Sequence, residues 1–189
     1  MLAQEATIRQ RWGELLSAAN PTPGPDDLAL VIAARDGDTR AFGQLYSRYA
    51  RMVHGILLAR LPHDAVEDVL QDVFLAALKQ LRALRQPGAF GGWLATIARN
   101  RANDFYRRSA PSSELTDKVS RPDPPHSEAA AVLEKIRGLP DAYRETLILR
   151  LVEGMTGPEI AARTGLTHGS VRVNLHRGMK MLKECLEGR

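Results

Sequence analysis

An all-helical fold is what this sequence predicts, from three observations. Apolar residues recur at three- and four-residue spacings along most of the chain, which gathers them on one side of a helix. Segments that alternate apolar and polar residue by residue, the mark of half-buried strands, are almost absent. Proline and glycine breaks punctuate the periodic stretches at Pro21–Pro25, Asp36-Gly37, Leu61-Pro62, Gln86-Pro87-Gly88 and Thr164-Gly165.

At 189 residues the chain accommodates one ordinary domain or two small ones. Its 44% hydrophobic and 25% charged residues are those of a folded soluble protein. A net charge of +4 is mildly basic, so the placement of the charges has to decide what they serve. The single cysteine, Cys185, excludes an intramolecular disulfide and a multi-cysteine zinc site, and suits a reducing interior. No run approaches the ~18 apolar residues of a membrane span. The opening MLAQEATIRQRWGELLSAAN lacks the basic start and apolar centre of a signal peptide. A soluble, cytoplasmic protein is expected.

Residues 1–25 are expected to form an extension, a helix with Ile8, Trp12, Leu15, Leu16 and Ala19 on one face, ended by PTPGP. Residues 26–108 form the first helical domain. Within it, Pro62–Leu81 carries a core stripe of Val66, Val69, Leu70, Val73, Ala77 and Leu81. Four acids and no base lie between Asp64 and Asp72. At about 100° per residue, Asp64, Asp68 and Gln71 fall opposite the stripe, with Asp72 at its margin and Leu75 and Leu78 among them. Leucines among acids suit a protein partner better than a merely solvated face. A row of helical carboxylates holds metal far less often than it holds water, so no metal site is expected.

The stretch WLATIARNRANDFYRRS, Trp93–Ser109, holds four arginines and two asparagines. Leu94, Ala98 and Phe105 face inward with Ile97 beside them, while Thr96, Arg99, Asn100, Asn103 and Arg107 share the opposite face. Asparagine and arginine bind bases in two-point contacts or grip phosphates, and no acid interrupts that set. Asp104 lies at its edge, placed to orient an arginine, and Arg101 projects into the apolar arc. Phe90 and Trp93 precede this face beside PGAFGG, as core anchors or as the lining of a pocket for an unstacked base.

Residues 109–127 carry four prolines and no helical period, the composition of a flexible linker. A coil of this length spans about 25 Å on average. Residues 128–189 resume helical patterning as a second small domain. Thr156 and Glu159 have capping-box spacing, Gly165 supplies the left-handed exit, and Thr167 is a good N-cap for the next helix. That is a helix-turn-helix. In its second helix Val171, Leu175, Met179 and Leu182 share one side with Gly178. Arg172, His176, Lys180 and Lys183 share another, flanked by Val173 and Arg177. Basic residues at a helix C-terminus also complement its dipole. The capped turn and the one-sided charge together favour insertion into a major groove.

In this order the two constellations resemble the extracytoplasmic-function group of bacterial sigma factors. DAVEDVLQDVFLAAL with WLATIARNRANDFYRR is similar to their second conserved region, and LPDAYRETLILRLVEGMTGPEIAARTGLTHGSVRVNLHRGMKML to their fourth. The resemblance implies docking of Asp64, Asp68, Gln71, Asp72 and Leu75 on the clamp helices of the largest subunit of core RNA polymerase. It assigns Thr96, Arg99, Asn100, Asn103 and Arg107 to the minus-ten element, with Phe90 near the captured base. Thr167, His168, Ser170, Arg172, Val173, His176, Arg177 and Lys180 go to the minus-thirty-five element. A flap contact by the second domain and an anti-sigma partner are also implied. Val173, Asn174 and Met179 depart from the family pattern, which alters sequence preference or weakens the phosphate grip. No cofactor and no catalytic constellation are expected. The alternative is a helix-turn-helix regulator that binds duplex DNA without polymerase.

Overall fold

The computed structural model describes residues 26–109 and 128–187; the expected first helix and linker residues 110–127 lie outside them. Among the described residues every regular element is helical. An N-terminal bundle holds α1 (Asp26–Arg35), α2 (Thr39–Leu58), α3 (Val66–Gln80) and α4 (Phe90–Ser109). A C-terminal bundle holds α5 (Glu128–Arg137), α6 (Asp141–Leu151), α7 (Gly157–Thr164) and α8 (His168–Leu186).

Helix α2 is the axis of the first bundle. Gly37, at φ 106°, turns the chain, and the Asp38 carboxylate caps α2 by accepting from the backbone of Arg40 (2.8 Å) and Ala41 (3.1 Å). Leu45, Met52, Val53, Ile56 and Leu57 are then fully buried along one stripe of α2, between α3 and α4. Each such side chain contributes about 1.5–3 kcal/mol by leaving water. The expected stripe of α3 is buried as read, and Phe74 joins it, edge-on to Phe42 at 6.4 Å. Helix α3 begins only at Val66, because residues His63–Ala65 form a 3-10 turn. Asp64 therefore sits on that turn rather than on the helix where the wheel put it.

In the second bundle the capping box forms in full. The Thr156 amide and hydroxyl donate to Glu159 Oε2 at 2.8 and 2.7 Å, and the Glu159 amide donates to Thr156 Oγ1. Gly165 takes φ 77°, and Thr167 Oγ1 accepts from the Ser170 amide at 3.1 Å. Val171 and Leu182 are buried as expected. Met179 is not: it is 45% exposed, and Met181 packs against the core instead. The inward stripe of α8 runs through Val171, Leu175, Gly178 and Leu182, which leaves Met179 about 70° to one side of its centre at about 100° per residue.

The two bundles are packed together, which a loose tether does not lead one to expect. Leu147, Ile148 and Leu149 are consecutive on α6, point in three directions, and are all fully buried. A helix buried all round needs neighbours on every side. Helix α8 lies on one side, where a Cβ on Gly178 would be 3.1 Å from Leu147. Helix α2 of the other bundle lies on another, where a Cβ on Gly55 would be 2.8 Å from Leu149.

Candidate nucleic-acid and protein interfaces

Packing leaves three polar surfaces. On α3 and the turn before it, Asp64, Asp68, Gln71 and Asp72 are exposed, with Leu75 at 55% and Leu78 at 46% exposure. Burial of the opposite side by Val66, Val69, Leu70 and Val73 holds these residues outward. Asp68 and Asp72 also line a shallow groove whose far wall is Arg101, Phe105 and Arg108 of α4. Arg101, which the helical wheel projects into the apolar arc, is half-buried and lines the groove with these carboxylates.

The α4 face is divided. Thr96, Asn100, Asn103 and Arg107 are exposed on it. Arg107 is oriented by Asp104 at 2.9 Å, as its spacing suggested. Arg99 is committed elsewhere: Nη2 and Nε donate to Glu145 Oε1 and Oε2 of α6 at 2.7 and 3.1 Å. Phe90 requires a correction. Its ring is 2% exposed, edge-on to Tyr49 at 5.1 Å and tilted against Trp93 at 5.8 Å, so it is a core anchor and offers no face to a base.

The helix-turn-helix surface is complete. Thr167, His168, Ser170, Arg172, Val173, His176, Arg177 and Lys180 are all exposed on the turn and α8, Val173 at 42%. Thr167 and Ser170 also hold the N-cap between them, which sets the angle at which α8 leaves the turn.

Sequence reading missed the residues that join the bundles. Glu145, 5% exposed, lies between Arg99 and Arg60, whose Nη1 is 2.7 Å from Oε2. Glu153, 8% exposed, meets His54 Nδ1 at 2.6 Å, and Arg51 donates to its backbone carbonyl. The hydrogen bond to Glu153 raises the pKa of His54, desolvation opposes it, and the charges of Glu153 and Glu67 add to the rise. Burial, with help from the Asp27 carboxylate, pushes the Tyr49 phenol far up, so it stays a hydrogen-bond donor. The available signal was ETLILRL, where a lone acid heads a run too apolar for a solvated helix.

A helical protein with one acidic, leucine-bearing face and two basic faces on separate helices is equipped to join DNA to another protein. Its residues 45–111 match the family model for sigma-70 region 2, and residues 129–182 the model for sigma-70 region 4. The RNA polymerase sigma factor CarQ of Myxococcus xanthus is 35% identical over 162 residues, covering 80% of this chain and 92% of that protein. CnrH of Cupriavidus metallidurans, another RNA polymerase sigma factor, is 32% identical over 86% of this chain and 96% of its own. The solved structure of CnrH in complex with the cytosolic domain of CnrY superimposes with a TM-score of 0.61 at 30% identity, over 86% of this chain and 97% of that one. The chain belongs to the extracytoplasmic-function group of RNA polymerase sigma factors, subunits that direct polymerase to promoters. No helix of the described residues is long and apolar enough to cross a membrane.

Proposed function

We propose a division of labour among the three faces. The acidic and leucine-bearing face of α3, with Asp64 on the turn before it, docks on the clamp helices of core RNA polymerase. The α4 face, Thr96, Arg99, Asn100, Asn103 and Arg107, holds the separated minus-ten strand, where binding energy is directed at melted DNA. Helix α8 reads the minus-thirty-five duplex through Arg172, His176, Arg177 and Lys180, with phosphate contacts supplying most of the affinity. Binding by one head turns engagement of the other into an intramolecular event. The subunit acts in the cytoplasm, and nucleotide transfer belongs to polymerase.

One observation carries this reading: of the residues assigned to DNA and polymerase, all but Phe90 and Arg99 lie exposed, on three different helices and the turns that lead into them. A duplex-binding regulator acting without polymerase needs α8 alone, and gives exposed Leu75 and Leu78 among acids no purpose. An anti-sigma protein is a fitting further partner, by analogy with CnrH, whose structure contains the cytosolic domain of CnrY. Reconstitution with purified core polymerase tests the reading. Promoter-specific transcripts from genomic DNA are expected, and their absence at permissive salt rejects it.

A further inference from the structure

The contact between the bundles is built from both sides. Glu145 reaches from α6 to Arg99 and Arg60, and Glu153 to His54 and Arg51. In return, Arg137 donates to the carbonyls of Leu58 (3.2 Å) and Leu61 (2.9 Å), and Arg144 to that of Ala59 (3.2 Å). The Leu58 and Ala59 carbonyls are orphans at the end of α2, which has no basic residue of its own in its last turn, and that of Leu61 lies in the turn that follows. Arg163 donates to the Arg48 carbonyl and lies over the Tyr49 ring, 5.7 Å from its centroid. Shape agrees with charge: a Cβ on Gly91 would lie 2.5 Å from the Arg163 carbonyl oxygen.

This arrangement cannot read a promoter. The minus-ten and minus-thirty-five elements are ~25 base pairs apart, or ~85 Å at ~3.4 Å each. Helices α4 and α8 belong to bundles in direct contact. The chain from Ser109 to Glu128 permits separation, since its 19 steps extend to about 65 Å at ~3.4 Å per residue. Reading both elements therefore requires the bundles to part, and parting frees Arg99.

We propose that the packed arrangement is a latched resting state of the free subunit, in which Glu145 holds Arg99 so that unlatching and completing the minus-ten face are one event. The proposal rests on the assignment of Arg99 to that face. The α3 face and α8 remain exposed while latched, so encounter with polymerase precedes opening. Full engagement by both bundles is weakened by the fraction of subunits that are closed, so a closed-to-open ratio of about 10 costs about tenfold in apparent affinity.

The test uses the full chain with no polymerase, DNA or partner present. Cys185 is exposed on α8 and serves as one spin-label site; Lys79→Cys, on the exposed end of α3, supplies the other. Electron–electron distance measurement should give one narrow distribution. Glu145→Gln combined with Gly55→Leu should shift and broaden it. Leucine at position 55 favours the α2 helix, and the nearest atoms it meets belong to Leu149 and Glu153 of the other bundle. Gly55→Ala, a smaller wedge, should give a mixture. The unlatched double variant should bind core polymerase up to about tenfold more tightly. A broad distribution in the parent chain, or a narrow one that both wedges leave unchanged, overturns the latch. If instead the distances move as expected but Arg99→Ala leaves promoter initiation intact, the latch stands and the minus-ten assignment of Arg99 falls.

Discussion

Nδ1 of His54, on α2, lies 2.6 Å from Oε1 of Glu153, in the loop after α6, and so joins the two bundles through a contact that raises the pKa of the imidazole. Glu67 of α3 faces the same imidazole, its carboxylate 3.9 Å from Nε2, and Arg51 approaches the same Glu153 carboxylate at 3.9 Å. When His54 loses its proton, Glu153 thus keeps a cationic neighbour.

The contact should tighten as pH falls. His54 has its pKa raised by Glu153 in the packed arrangement and returns toward 6.5 when the bundles part. Its protonation therefore favours packing, fully below about pH 6.5 and with loss as pH rises through the raised value. Amide protection factors in α6, taken relative to the base-catalysed intrinsic exchange rate at each pH, should be higher at about pH 6 than at about pH 8. His54→Gln should flatten that difference, and a parent protein with no such difference removes the histidine from the contact.

Charge reversal on the α3 face separates docking from folding. Asp68→Lys with Asp72→Lys should weaken binding to core polymerase at least tenfold, or about 1.4 kcal/mol. Both side chains are exposed, so folding stability should change by only about 0.5 kcal/mol. Affinity measured by fluorescence anisotropy and unaltered by the double change would take polymerase off this surface.

On α4 the informative change avoids Arg99, which has a second role. Asn100→Ala, Asn103→Ala and Arg107→Ala together should abolish stable opening of promoter DNA, followed by permanganate footprinting, while polymerase binding persists. Arg107 is 80% exposed and paired only with its near neighbour Asp104 among the ion pairs described, so its loss does not disturb the core. Normal opening by the triple variant would contradict the assignment.

For α8 the readout is salt dependence. Arg172→Ala and Lys180→Ala should each reduce the slope of log affinity against log salt by about 1 on duplex carrying the minus-thirty-five element. An unchanged slope would mean these side chains do not reach phosphate.

The local features of both bundles were legible in the sequence because their causes are local. The Thr156–Glu159 box, the Gly165 exit and the Thr167 cap are contacts within a few residues, and all formed. The α3 stripe followed from helical period, and the outward face of Asp68, Gln71 and Leu75 followed from the stripe. Errors arose where two elements compete for one residue. Phe90 sits beside glycines in a segment that looked open, yet Tyr49 and Trp93 enclose it. Met179 was placed by angle alone, although α6 meets α8 along a narrower strip centred on Gly178.

Sequence alone determined which residues form helices, which side of most helices is apolar, and where cations and asparagines gather on α4 and α8. Each depends on residues three or four positions apart, whose relation the helix itself imposes. Tertiary structure decided which cations are already spoken for: Arg99 heads an acid-free face in sequence, and its carboxylate comes from 46 positions away. It decided also that the central turn of α6, Glu145–Leu149, is enclosed on every side, and a stretch with no wet face carries no period from which its neighbours can be deduced.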